Sequence, residues 1–151
     1  MLKKPINICL VIISFFLLGL PSLVAQSNWS VGARSAALAG GNTTLSDVWS
    51  AQNNQAGLGF IKRTELGAYY ENRFLLKELS YSAFCAAIPV KQKGAFGVTL
   101  TNFGYSVFKQ SKAGVGYGMR FGENFSAGVQ MDYLYTQITD AAGYYGRKGV
   151  I

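Results

Sequence analysis

Residues 111–136 read SKAGVGYGMRFGENFSAGVQMDYLYT, with apolar side chains at every second position and Gly or polar side chains between them. A period of two residues is typical of β-strands that have one apolar face. The apolar positions are Ala113, Val115, Tyr117, Met119 and Phe121 in the first strand, and Phe125, Ala127, Val129, Met131, Tyr133 and Tyr135 in the second. Leu134 alone departs from the alternation. Gly122, Glu123 and Asn124 separate the two runs, which predicts a β-hairpin whose apolar faces lie on one side.

Three further runs upstream show the same period. They are Arg63–Asn72, Glu78–Val90 and Ala95–Tyr105. In the middle run the apolar residues of Leu79–Ile88 fall on both faces, so the sequence leaves its outward face unassigned. Five strands joined by short loops predict an all-β fold, an antiparallel meander. The composition agrees, because 18 Gly, 10 Phe and 9 Tyr with only 3 Pro favour pleated strands over helices.

Residues 1–25 have the layout of a secretory signal peptide. Two lysines precede an apolar run at 6–20, and a short stretch containing Pro21 leads to Ala25. A membrane-spanning helix needs about 20 apolar residues, and this run is shorter. We therefore expect an exported protein that is cleaved after Ala25. Cys85 is then the one cysteine left, so no internal disulfide can form.

Two architectures fit strands of about ten residues with one apolar face, a soluble β-sandwich and an outer-membrane β-barrel. The opposite face distinguishes them, because in a sandwich it meets water and carries long charged side chains. Here that face consists mainly of Gly, Ser, Thr, Gln and Asn, and aromatic residues gather near the strand ends, where barrels have interfacial girdles. We therefore predict the first strands of an outer-membrane barrel over residues 61–151. A secreted, soluble β-sandwich that binds a surface partner remains the alternative.

Closure of the barrel requires more strands than these. Five strands cannot close in lipid, since the smallest such barrels have about eight. The residues before Ile151 read as a polar loop without a final strand. We expect the sequence to continue beyond Ile151, and completion of the ladder by oligomerisation is the less favoured alternative. The short turns at 91–93 and 122–124 are expected to face the periplasm, and the loops at 72–77 and 105–109 the outside.

A distinctive segment lies between the signal peptide and the first strand. It reads VGARSAALAGGN at residues 31–42, DVWS at 47–50 and NNQAGL at 53–58. In order and spacing it resembles the N-terminal segment of the FadL-like outer-membrane proteins, including the PorV/PorQ branch. It departs from their pattern at Leu38-Ala39, where Ala-Met is usual, at Asn42, which replaces an Ala, and at Gln55, which replaces a Pro.

The resemblance implies a barrel of about fourteen strands with residues 26–60 inside it as a plug. It also implies a protein of the outer membrane that passes hydrophobic compounds or serves as a part of type IX protein secretion. Within the segment, Thr43 or Thr44 can cap a short helix, and its shared face would lie against a barrel wall or, alternatively, on the surface of a soluble domain. The residues on that face are Leu45, Val48, Trp49 and Gln52.

The composition excludes several functional classes. With no His in the chain, no Ser-His-Asp or Cys-His catalysis and no His-built metal site are available. The net charge of +7 comes from residues that are scattered singly or in pairs, so it does not predict a nucleic-acid interface. VGYG at residues 115–118 matches part of a potassium-channel filter, but the filter needs spanning helices, and here the letters are alternate positions of a strand.

No catalytic, cofactor-binding or metal-binding residue is therefore predicted, and we expect a protein that is not an enzyme. The expected partners are the lipid bilayer of the outer membrane and either hydrophobic small molecules or proteins of the secretion machinery. A few polar residues on the Gly-rich face are expected to line a polar lumen or, more simply, to pair with each other across neighbouring strands. They are Lys112, Arg120, Gln130 and Asp132.

Overall fold

A computed structural model describes residues 29–91 and 94–139, and the backbone of residues 145–150. The predicted signal peptide at residues 1–25 lies outside this part of the chain. The helical elements are α1 (Ala33–Ala37), α2 (Ser50–Asn53), and the 3₁₀ helices Gln55–Phe60, Arg73–Leu75 and Lys77–Leu79. The strands are β1 (Glu65–Asn72), β2 (Ser80–Val90), β3 (Gly94–Gly104), β4 (Phe108–Arg120), β5 (Ser126–Thr139) and β6 (Tyr145–Val150).

The strands form one antiparallel sheet in the order β1-β2-β3-β4-β5-β6. This confirms the predicted all-β meander, and each of the five predicted strands is present. The expectation that no strand follows the polar loop is wrong, because β6 pairs with β5 from Tyr145 opposite Thr139 to Val150 opposite Leu134. The sequence of β6, YGRKGV, has no apolar alternation, so the long neighbouring strand rather than a local pattern places it there.

The β4–β5 hairpin closes as its sequence predicts. The Phe121 N–H donates to the Phe125 carbonyl at 2.8 Å, and the two rings lie 5.9 Å apart on the same side of the sheet. Gly122 has a φ of +130°, a backbone conformation that residues with a side chain rarely adopt and that Gly takes without strain. The hairpin fixes the register along the whole length of both strands, from Arg120 opposite Ser126 to Phe108 opposite Ile138.

The sheet has two chemically distinct faces. The outer face holds the alternating apolar side chains, and most of its large residues are exposed. One row across it consists of Leu66, Ala86, Val98, Val115 and Met131. The inner face holds the Gly and polar residues and is covered by the N-terminal segment, residues 29–60. One row across the inner face consists of Gly67, Cys85, Thr99, Gly114 and Asp132.

The two faces explain the mixed pattern of β2. Its residues Tyr81, Ala83, Cys85 and Ala87 are buried on the inner face. Phe84 and Ile88 are exposed on the outer face. β2 is apolar on both sides because the N-terminal segment covers it on one side, so a period of two could not identify its outward face.

The predicted helix of the N-terminal segment begins later than expected. α2 begins at Ser50, and neither Thr43 nor Thr44 caps it. Instead, the Asp47 carboxylate accepts the Trp49 N–H at 3.0 Å and the Ser50 hydroxyl accepts the Asp47 N–H at 3.2 Å, so the chain turns once before the helix. Val48 and Gln52 are buried, but Val48 precedes the helix and Ser50 and Ala51 are buried as well, so the predicted helical face is not formed. No helix within residues 29–91 and 94–139 is long and apolar enough to cross a membrane.

Candidate functional site

The candidate site is the contact between the inner face and the N-terminal segment, and glycines on β4 and β5 make it possible. A Cβ at Gly118 would lie 2.2 Å from the Gln55 carbonyl oxygen, and one at Gly128 would lie 2.5 Å from the Gln55 carbonyl carbon. Real Cβ atoms do not approach backbone this closely. The 3₁₀ helix Gln55–Phe60 therefore lies directly on the backbone of these two strands, at positions where only Gly fits.

Glycines on β1 and β3 receive the preceding helix in the same way. A Cβ at Gly97 would lie 2.8 Å from both Ala51 Cβ and Leu58 Cδ1, and one at Gly67 would lie 2.9 Å from the Trp49 ring. The alternating glycines that the sequence shows are thus the inner surface on which one particular segment rests.

Apolar side chains bury the centre of this contact. Leu58 is fully buried, and it forms a cluster with residues from the N-terminal segment, from β2 and from the start of β3. The other members are Val48, Ala51, Ile61, Cys85, Ala87 and Ala95. Small residues on the strands meet large residues on the segment, so the segment and the inner face interlock at close range.

A second cluster, the aromatic cluster, covers the inner face toward the β1–β2 connection. Trp29 stacks on Phe103 with ring centroids 5.1 Å apart and on Tyr81 at 6.2 Å. The Arg73 guanidinium lies 3.7 Å from the Trp29 ring centroid and pairs with Glu71 at 2.8 Å. Nothing in the sequence pairs Trp29 with Arg73, because the contact depends on the fold and not on local spacing.

A polar network connects the N-terminal segment to the sheet wall. Gln55 Nε2 donates to Gln130 Oε1, and Gln130 Nε2 in turn donates to Asp132 Oδ1 and to Thr99 Oγ1. Asp132 also pairs with Lys112, at 3.2 Å between Oδ2 and Nζ. This confirms the expectation that polar residues of the Gly-rich face pair across neighbouring strands.

One of the four polar residues predicted to lie together on the Gly-rich face, Arg120, lies apart from the network. Arg120 is on the inner face but at the end of β4, with its guanidinium carbon 5.9 Å from the Phe60 ring centroid. Gly114 makes room for the others, since a Cβ there would lie 2.1 Å from Asp132 Oδ1. The structure therefore brings Lys112, Gln130 and Asp132 together and leaves Arg120 apart.

The N-terminal segment is also bonded to itself. The Asn53 side chain accepts the Val31 N–H at 3.1 Å and donates to the Val31 carbonyl at 2.9 Å, so that it joins the two ends of the segment. The Asn42 amide donates to the hydroxyls of Ser30 and Ser35. Residues of the first and third quoted motifs thus bond the segment to itself, apart from any contact with the sheet.

Comparison with protein-family models, with curated proteins and with solved structures finds no match to this chain. Within the described residues, no group of three or more His, Cys, Asp or Glu side chains is placed to hold a metal ion. What the site offers chemically is a polar network beside an apolar cluster and an aromatic cluster, all on the inner face of the sheet.

Proposed function

We propose that the protein is an outer-membrane β-barrel protein of the FadL/PorV-like type that forms a passage for hydrophobic compounds. The observation that carries the proposal is the contrast between the two faces of one sheet. The large apolar side chains are exposed, while the Gly-rich polar face is covered by the chain's own N-terminal segment. In a protein that folds in water the opposite arrangement is favoured.

The dimensions of the outer face suit a membrane. Its apolar positions extend from Ala113 in β4 to Phe121 just after it, eight residue steps or about 26 Å of strand. A strand tilt of about 40° reduces this to about 20 Å of membrane thickness, close to the apolar band of about 25 Å on known barrels. Exposed aromatic residues lie near both limits of this band, as interfacial girdles do, namely Tyr70 at one end and Phe121 and Phe125 at the other.

The charges on the sheet favour the same proposal. The central rows of the outer face contain no charged residue, and the strand-interior pair of Lys112 and Asp132 lies on the inner face. A lipid-facing surface excludes charge, while an inner surface tolerates it. In lipid the free edges of β1 and β6 would also need partners, so the proposal requires further strands from a longer chain or from other copies.

The inner face supports a passage. In the aromatic cluster, Trp29 of the N-terminal segment stacks on Tyr81 and Phe103 of the wall, so a hydrophobic compound that moved between segment and wall would meet aromatic rings. We propose that residues 26–60 act as a plug that borders this route. The polar network through Gln55 and Gln130 holds the plug to the wall.

A second candidate, a docking component of type IX protein secretion, is favoured by the β1–β2 connection. Phe74 and Leu75 are 85% and 90% exposed there, and both have positive φ values, 55° and 57°. Two apolar residues in a strained conformation without cover are typical of a surface that meets a protein. In this candidate the barrel wall is unchanged and the partner binds at the outer end.

The matched variants Met131→Arg and Phe125→Arg test the membrane placement. Met131 is in the central row and 69% exposed, whereas Phe125 is at the strand end. In lipid, an arginine in the central row destabilises by about 2–4 kcal/mol and one at the interface by about 0–1 kcal/mol. In water both positions are exposed, so both variants would change stability by roughly 0.5 kcal/mol or less.

The measurement is the urea dependence of folding of the full-length protein in lipid vesicles, together with its resistance to carbonate extraction from cells. We expect the wild type to resist carbonate extraction. We expect Met131→Arg, but not Phe125→Arg, to lower the stability measured with urea. Recovery of folded wild-type protein in buffer without detergent would contradict the barrel proposal and favour the soluble β-sandwich. Uptake of a hydrophobic dye by vesicles containing the folded protein then distinguishes a passage from a docking component.

A further inference from the structure

A cavity of about 490 Å³ lies at the end of the sheet where the β2–β3 turn and the end of β4 meet. Three separate parts of the chain line it: the end of the 3₁₀ helix with the link to β1, the end of β2 with the start of β3, and the last residue of β4. The lining residues are Gly59, Phe60, Ile61, Lys62, Pro89, Lys91, Gly94 and Arg120.

The charged residues named in the lining of this cavity are all positive. Lys62, Lys91 and Arg120 line it, and no lining residue is acidic. Elsewhere in the described part of the chain, Arg63, Arg73 and Lys112 each pair with a carboxylate. Residues 29–91 and 94–139 provide no such partner for the three cations of the cavity.

The backbone holds the walls of the cavity close together. A Cβ at Gly59 would lie 2.9 Å from the Met119 carbonyl carbon, and one at Gly94 would lie 2.1 Å from the Gly118 carbonyl oxygen. The link and the start of β3 are therefore fixed against β4, beside Arg120. Lys62, Lys91 and Arg120 thus line one cavity from three parts of the chain, which the contacts of Gly59 and Gly94 with β4 hold beside one another.

We propose that this cavity binds a phosphate group through Lys62, Lys91 and Arg120. A phosphate ester has a charge near −1.5 to −2 and three acceptor oxygens, which suits one forked guanidinium and two ammonium groups better than a single carboxylate does. Phe60, Ile61 and Pro89 give the cavity apolar walls as well. The phosphate can thus come from a lipid headgroup or from free phosphate. The proposal rests on the cavity itself and not on the passage proposed above.

Calorimetric titration of the full-length protein in an uncharged detergent tests the site, with inorganic phosphate, dihexanoyl phosphatidylglycerol and acetate as separate probes. Arg120→Gln should weaken phosphate binding by about tenfold or more, the loss expected for charged hydrogen bonds. The control is Lys109→Gln, which removes the same charge from the opposite end of the described β4. It should change binding by about twofold or less, through long-range charge alone.

Each outcome either identifies the source of the phosphate group, a lipid headgroup or free phosphate, or contradicts the proposed site. Equal affinity for both phosphate probes assigns free phosphate, and much tighter binding of the lipid assigns the headgroup. No binding of either probe, equal losses in Arg120→Gln and Lys109→Gln, or acetate binding as tight as phosphate binding would overturn the proposal. Arg120 also contacts the Phe60 ring, so Arg120→Gln could impair folding as well as binding. Lys91→Gln therefore serves as a second variant, and it should show a similar loss of phosphate affinity. Failure here leaves the membrane extraction test unaffected, and the reverse is equally true.

Discussion

The outer and inner faces of the same strands obey different rules. On the outer face, apolar residues such as Val129 and Met131 are largely exposed, and no segment of the described chain covers them. On the inner face, Gly118 and Gly128 lie against one particular backbone, that of Gln55. The outer face therefore requires only an apolar environment, while the inner face requires one particular segment of the chain. Substitutions that are harmless on one face should destabilise on the other.

The largest difference should follow from shortening a leucine. Leu58 is fully buried between the segment and the sheet, so Leu58→Ala should lower the free energy of unfolding by about 2–5 kcal/mol. Leu66→Ala on the outer face should lower it by about 1 kcal/mol or less, because Leu66 is largely exposed and leaves no cavity. Urea titration of both variants in the same detergent checks this. Equal losses would mean that the segment does not rest on the sheet.

Adding a methyl group sharpens the comparison from the opposite direction. Gly118→Ala should destabilise by about 1–3 kcal/mol, since its Cβ would meet the backbone oxygen of Gln55, which cannot rotate away. Ala113→Val on the outer face of the same strand should change stability by less than about 0.5 kcal/mol. Protease cleavage within residues 29–60 should also become faster in Gly118→Ala alone. Unchanged cleavage in that variant would contradict the close approach.

The polar network should depend on its charges to a smaller extent. The Lys112 side chain is 13% exposed, and Asp132→Asn leaves its ammonium group without a counterion. We expect a loss of about 1–2 kcal/mol, below that of a fully buried pair because Asp132 is partly exposed. The pair of Arg63 and Glu65 provides the control, because the Arg63 side chain is 86% exposed, and Arg63→Gln should change stability by about 0.5 kcal/mol or less. Similar urea midpoints for both variants would count against a structural role for the network.

The smallest expected effect concerns the aromatic cluster. Arg73→Ala removes a guanidinium from the Trp29 ring and should reduce stability by about 0.5–1 kcal/mol. Acrylamide quenching of tryptophan fluorescence should nevertheless increase, because one face of that ring is uncovered. Arg34→Ala, which removes a charge from α1, should leave the quenching unchanged. If acrylamide quenches the tryptophan fluorescence of both variants equally, Arg73 does not cover Trp29.

The sequence predicts the outer face better than the inner one, for a physical reason. A period of two residues is local, so Val115, Val129 and their neighbours can be assigned to one face from the letters alone. The pairing of Lys112 with Asp132 also follows, since parity and the hairpin register place both on the inner face. These features depend only on strand geometry.

The remaining features depend on residues that are distant in sequence. The buried face of β2 is apolar because Leu58 and Trp49 cover it, and β6 forms because β5 extends to Thr139 and offers it an edge. The start of α2 is set by Asp47 rather than by Thr43 or Thr44. The contact of Arg73 with Trp29 and the cationic cavity exist only once the strand ends have been brought together.

The hydrogen bond between Gln55 and Gln130 joins residues that are 75 positions apart. Gln55 precedes β1 and Gln130 lies in β5, so four complete strands, β1 to β4, lie between them along the chain. Contacts of such long sequence separation close late and make folding slow. The N-terminal segment precedes these strands in the chain and is bonded to itself between Val31 and Asn53, so those bonds do not require this late contact.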